Sequence, residues 1–128
     1  MDIHDFIFLL VKNIAYFIFW LIISALIVGI AKIISLPLII VAIILILFQY
    51  FAIIWMGYLN TKDSKDHKLK NGLIFHVIWV VLVGILSSFY DDQPLWEQLL
   101  DTLLLFGSLE IGSLIYYFKK RKKVASAV

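Results

Sequence analysis

The sequence predicts an all-α polytopic membrane protein: four transmembrane helices in an antiparallel bundle, forming one membrane domain. Three observations carry this expectation. Hydrophobic residues make up 63% of the 128, with a mean hydropathy of +1.02, whereas ordinary soluble domains are about 45–50% apolar. The chain divides into four long apolar segments, and about 20 apolar residues suffice to cross the hydrocarbon. Basic residues gather at one end of such a bundle: Lys12, then Lys62, Lys65, Lys68 and Lys70, then Lys119, Lys120, Arg121, Lys122 and Lys123. Of the 11 Lys and Arg residues, only Lys32 falls opposite, near Asp91, Asp92 and Glu97.

The opening "MDIHDFIFLLVK" (1–12) sets Asp2, Asp5 and Lys12 on one side of a helix and Ile3, Phe6, Ile7 and Leu10 on the other. That pattern predicts a short interfacial helix. The alternative is one long, tilted first helix with Lys12 snorkelling to the surface. Acids in place of a basic leader mark a retained span, not a cleaved signal peptide.

The first span is expected at about 13–31. "KIISLP" turns the chain, because Pro37 disfavours helix at Leu36 and suits the first turn of a new one. The second span is expected at about 38–59. "NTKDSKDHKLKN" is the one extended polar stretch and reads as aqueous. The third is expected at about 72–90; "DDQP" turns the chain again, and the fourth follows at about 95–118. Residues 119–128 form a basic tail. Trp55 and Tyr58, Tyr116 and Tyr117, and Tyr90 and Trp96 lie near span ends, where interfacial aromatics belong.

Charge predicts the orientation. Four spans return the chain to its starting side, and an excess of Lys and Arg marks the cytoplasmic side. Both termini are therefore expected in the cytoplasm, with the protein integral to the cytoplasmic (inner or plasma) membrane.

Polar residues inside the apolar segments are the candidate functional groups, since a buried acid in lipid needs a partner, water or a proton. Glu110 lies nine residues before Lys119, about 13 Å along a helix and near mid-depth. His76 on the antiparallel third span reaches a similar depth, so a hydrogen-bonded His76–Glu110 pair is expected, able to bind or relay a proton. Gln49, near the middle of the second span, is the third candidate for an ion-coupling or substrate site. Asn13, Trp20 and Ser24 share a face of the first span.

Small residues predict where helices meet. Asp101, Ser108 and Gly112 share one face of the fourth span, and Ser108-x-x-x-Gly112 is a small-xxx-small pattern that permits close approach. Gly107 lies beside Glu110 on the other face, and Ser87 shares a face of the third span with Gly72, His76 and Val83. These four (Ser108, Gly112, Gly107 and Ser87) are the expected packing positions. The basic run Lys119, Lys120, Arg121, Lys122 and Lys123 is suited to anionic lipid headgroups as well as to fixing topology.

Several function classes fall away. With no cysteine, disulfides, thiol catalysis and cysteine-held metals are excluded. No phosphate-loop, dinucleotide, zinc-protease or nucleophile-elbow signature occurs. Three histidines, His4, His67 and His76, do not make a zinc spacing, so no metal, cofactor or catalytic residue is expected. Five charges beside a membrane are not a nucleic-acid surface. Two readings stand. One is a non-enzymatic membrane protein acting through other membrane proteins, as accessory subunit, regulator or toxin-immunity factor. The other is an oligomeric small transporter or channel using Glu110 and His76. The expected partners are the lipid bilayer and another membrane protein, or a second copy in a homo-oligomer.

Overall fold

The computed structural model describes residues 2–64, 67–90 and 92–127. Lys65 and Asp91, counted above among the connecting charges, lie outside them, as do Met1 and Val128 at the ends of the chain. Four helices follow in order: α1 (Ile3–Ile33), α2 (Leu38–Asp63), α3 (Lys68–Tyr90) and α4 (Leu95–Ala127). Each is long and apolar enough to cross a membrane. The chain is a membrane protein built as an all-α four-helix bundle.

The helices run past several of the expected span limits, and of the two readings of the opening residues the single long first helix is the one found. Residues 1–12 do not form a separate interfacial helix. From Ile3 onward they are the first turns of α1, which runs unbroken for 31 residues, about 46 Å at 1.5 Å per residue. No glycine or proline interrupts it before Gly29, so nothing in the backbone favours a break at Lys12. α2 continues past Leu59 to Asp63, and α3 begins at Lys68. Asn60, Thr61 and Ser64, assigned above to water, are therefore buried. α4 extends through the basic run instead of stopping at Phe118.

The α1–α2 turn has a defined cap. Ser35 takes a left-handed φ of 58°, its N–H bonds to Lys32 O and the Leu36 N–H to Ala31 O at 3.0 Å. These two bonds make a Schellman motif, which satisfies the last carbonyls of α1. Pro37 then precedes the first turn of α2.

Sequential helices are antiparallel, as their pairings show. Asn13 meets Asn60, His76 meets Glu110, and the Phe6 and Phe75 rings join α1 to α3 with centroids 5.7 Å apart. The closest packing joins α2 to α4, which run parallel. A methyl group on Gly57 would collide with the Leu109 carbonyl, and one on Gly112 with the Ile54 carbonyl and Tyr58 N. The two backbones touch because neither position carries a side chain. Ser108, on the same face as Gly112, is buried too. This is the small-residue packing expected of Ser108 and Gly112 in lipid, where van der Waals contact drives helix association.

Burial is uneven along the bundle. Leu9, Asn13, Ala52, Met56, Asn60, Thr61, Ser64, Phe75, His76, Val80, Ser108, Leu109 and Ser113 are all buried, and all lie in the half toward the basic end. In the other half only Ala31 is buried among the described residues. Met56, Val80 and Leu109 form the apolar centre, with Trp20, Trp79, Leu105 and Phe106 packed around it. The bundle closes at the basic end and opens toward the acidic end.

Candidate functional site

One polar side chain from each helix meets in the closed half. Asn13 Nδ2 on α1 donates to Asn60 Oδ1 on α2 at 2.6 Å, and Asn60 Nδ2 donates back to Asn13 Oδ1 at 3.0 Å. Asn60 Nδ2 also reaches His76 Nε2 on α3 at 3.2 Å. His76 Nδ1 meets Glu110 Oε1 on α4 at 2.7 Å. The expected His76–Glu110 pair is present, as the end of a longer chain that crosses all four helices.

The chain has a direction. Asn13 Nδ2 also donates to the Leu9 backbone oxygen at 2.7 Å, which fixes which end of that amide is nitrogen. The Asn13 oxygen must then accept from Asn60, so Asn60 presents its nitrogen to His76. His76 Nε2 can only accept, which places the ring proton on Nδ1, donated to the Glu110 carboxyl. Reversing any amide would turn two oxygens or two N–H groups toward each other. A backbone carbonyl in α1 thus sets the tautomer of a histidine in α3.

The chain is sealed at three members and open at the fourth. Asn13, Asn60 and His76 are 0%, 2% and 0% exposed, whereas the Glu110 side chain is 27% exposed. Buried polar groups in lipid must be paired, and the three inner members are. On the basic side the chain is covered by Lys12 and Asp63, which form an ion pair between α1 and α2. Lys12 Nζ also lies 5.4 Å from the centre of the Phe8 ring and 6.0 Å from that of Tyr16. A second polar link ties α2 to α4 through Thr61 Oγ1 and Ser113 Oγ, 2.6 Å apart.

Other expected site residues divide. Gln49 is exposed and contributes no hydrogen bond to the chain, because α2 packs through Ala52, Met56 and Asn60, below it. Gly107 is exposed, with nothing within 4 Å of where its side chain would begin; it packs against no other helix of this chain. Ser87 is exposed as well and bonds back to Val83 O at 2.8 Å. It borders a small cleft of about 100 Å³ with Gly84, Gln98, Asp101 and Thr102, between the outer halves of α3 and α4. Of the basic run, Lys119 donates to the Tyr58 hydroxyl at 3.4 Å and lies over its ring. Lys120 and Arg121 face α3 across a cavity, and Lys122 and Lys123 are exposed.

Asn60 and Asp63 were missed because the second segment turns polar there. The signal that would have found Asn60 is its spacing. It lies four and eight residues beyond Met56 and Ala52, continuing the buried stripe of α2. Among the described residues no third His, Asp or Glu joins His76 and Glu110 in a metal-binding group. The geometry serves hydrogen-bond positioning of one carboxyl. Comparison with family models, curated proteins and solved structures finds no match for this chain.

Proposed function

We propose that this is a non-enzymatic protein of the cytoplasmic membrane, with both termini cytoplasmic, that acts by holding another membrane-spanning helix against its α3–α4 side. One observation carries this reading: α4 leaves the Glu110 carboxyl part-exposed within its apolar span, on the face it shares with Leu103 and Gly107. Ionisable side chains at such depths rarely face lipid; they meet protein or a water-filled space. Asp101 lies on the opposite face of α4, the one that packs against α2 lower down; it is uncovered because the core ends before it, and it forms no part of this contact. Ser87, Gln98 and Thr102 gather around it. By contrast the outer halves of α1 and α2 offer mostly apolar side chains, suited to lipid, and Ser24 is satisfied by Trp20 O at 2.8 Å. The backbone contact at Gly57 and Gly112 leaves no water path between α2 and α4, which favours a contact role over a conduit through one protomer.

A photocrosslinking residue at Leu103 or Gly107 in native membranes tests this. The expected product is one discrete crosslinked species, a second copy or a different membrane protein. Its yield should fall in Glu110→Leu and hold in Asp101→Leu, on the opposite face, while both variants still fold. No discrete product at either position would remove the reading.

The His76–Glu110 bond favours one alternative, proton or ion coupling in an oligomeric transporter. Flux in proteoliposomes that is lost in Glu110→Gln would establish it. Absence of flux in both proteins across a broad ion and substrate screen would dismiss it.

A further inference from the structure

At the basic end, the start of α3 and the last turns of α4 flank an open cavity of about 680 Å³ whose lining includes His67, Lys68, Lys70, Tyr116, Tyr117, Lys120 and Arg121. That volume lies within the range of small-molecule sites, about 300–1,000 Å³. Among the described residues, four formal positive charges line this cavity and no acid does. Lys68 is partly engaged, donating to Lys62 O at 2.6 Å and lying 5.8 Å from the Tyr116 ring centre. Lys70, Lys120 and Arg121 make no ion pair among the described residues. Topology alone would be served by the same charges dispersed along the tail. It does not require cations from two helices, distant in sequence, to converge on one concavity walled by tyrosines.

We propose that this cavity is a binding site for a phosphate-bearing anion. Arg121 supplies a planar fork suited to phosphate oxygens, the lysines supply compensating charge, and the tyrosines offer hydroxyl groups. The two sources are the headgroup of an anionic phospholipid and a soluble phosphate. Basic pockets between helices at the cytoplasmic face suit the former, and the exposed side chains of Leu69 and Tyr117 would lie along its chains. This site is separate from the Glu110 chain and does not depend on its reading.

The test uses the full-length protein in mild detergent, with phosphatidylglycerol, phosphatidylcholine or inorganic phosphate added. Bound lipid is read by native mass spectrometry and stability by thermal unfolding. Wild type is expected to retain phosphatidylglycerol about tenfold over phosphatidylcholine. Lys120→Gln with Arg121→Gln should abolish that preference, and Lys122→Gln with Lys123→Gln, which removes equal charge outside the cavity, should keep it. Lys70→Gln, on the other helix, should weaken retention and serves if the first double variant does not fold. Inorganic phosphate that displaces the lipid and raises the unfolding midpoint alone identifies a soluble ligand; failure to displace it identifies the lipid. Equal retention of both lipids with no phosphate effect overturns the site. So does equal loss in the two double variants, which would show that only the number of charges matters.

Discussion

Asn13 makes no contact with Glu110, yet it governs how that carboxyl is held. Replacing it with leucine removes two donors and an acceptor and leaves the Asn60 amide free to rotate. The expected cost is about 1–3 kcal/mol, the usual loss when a buried partner is orphaned. The sharper readout is nitrogen NMR of the His76 ring. Wild type should show a neutral ring protonated on Nδ1, and Asn13→Leu a mixture of tautomers. A wild-type ring protonated on Nε2 would contradict the direction derived for the chain. Glu110→Gln keeps an oxygen for the Nδ1 proton and should cost less than Glu110→Leu, which strands it. The pairing of His76 with Glu110 was legible in the sequence, because counting residues from the basic flanks gives the depth of each. Asn60 was not: mean hydropathy cannot distinguish a polar residue that ends a helix from one that continues it inward. Gln49 erred in the opposite sense, since central placement in a segment does not show that a neighbouring helix reaches that level.

Between elements, the α2–α4 contact makes the plainest stability prediction. Gly112→Ala and Gly57→Ala each place a methyl group against backbone, which cannot yield without separating the helices. Each should cost about 1–3 kcal/mol, as overpacking does in dense interiors. Gly107→Ala, five residues away on α4 and facing open space, should be neutral or stabilising by up to about 1 kcal/mol through helix propensity. Thermal unfolding in one detergent would compare the three. A similar loss at Gly107 would mean that helix association is not set by this backbone contact. The Ser108–Gly112 pattern foretold that some helix comes close. It did not say which, because spacing along one helix carries no information about its neighbour. Gly57 escaped notice for the same reason: its meaning lies in Leu109, which is 52 residues away in sequence.

For the molecule as a whole, four alternating helices place the end of α2, the start of α3 and the end of α4 together. A single cysteine introduced at His67 or Lys122 should therefore react with an impermeant reagent from one side of the membrane, and one at Gln93 from the other. Labelling of the first two from opposite sides would overturn the topology. The class of fold was readable because apolar segments of this length have few other solutions. The opening of the bundle toward its acidic end was not. It depends on where side chains stop meeting across helices, and apolar residues look alike in sequence whether they face protein or lipid.

The parallel pairing of α2 with α4 also bears on biogenesis. The first hairpin can leave the translocon already joined by its reciprocal asparagine amides, but the grooved flank at Gly57 must wait for α4 to be synthesised. A nascent chain halted after Tyr90 would carry that flank bare, and His76 with its Nδ1 proton unclaimed. Such truncated chains should be short-lived in pulse–chase beside chains that include α4, because α4, made after the other three helices, is the one that locks them.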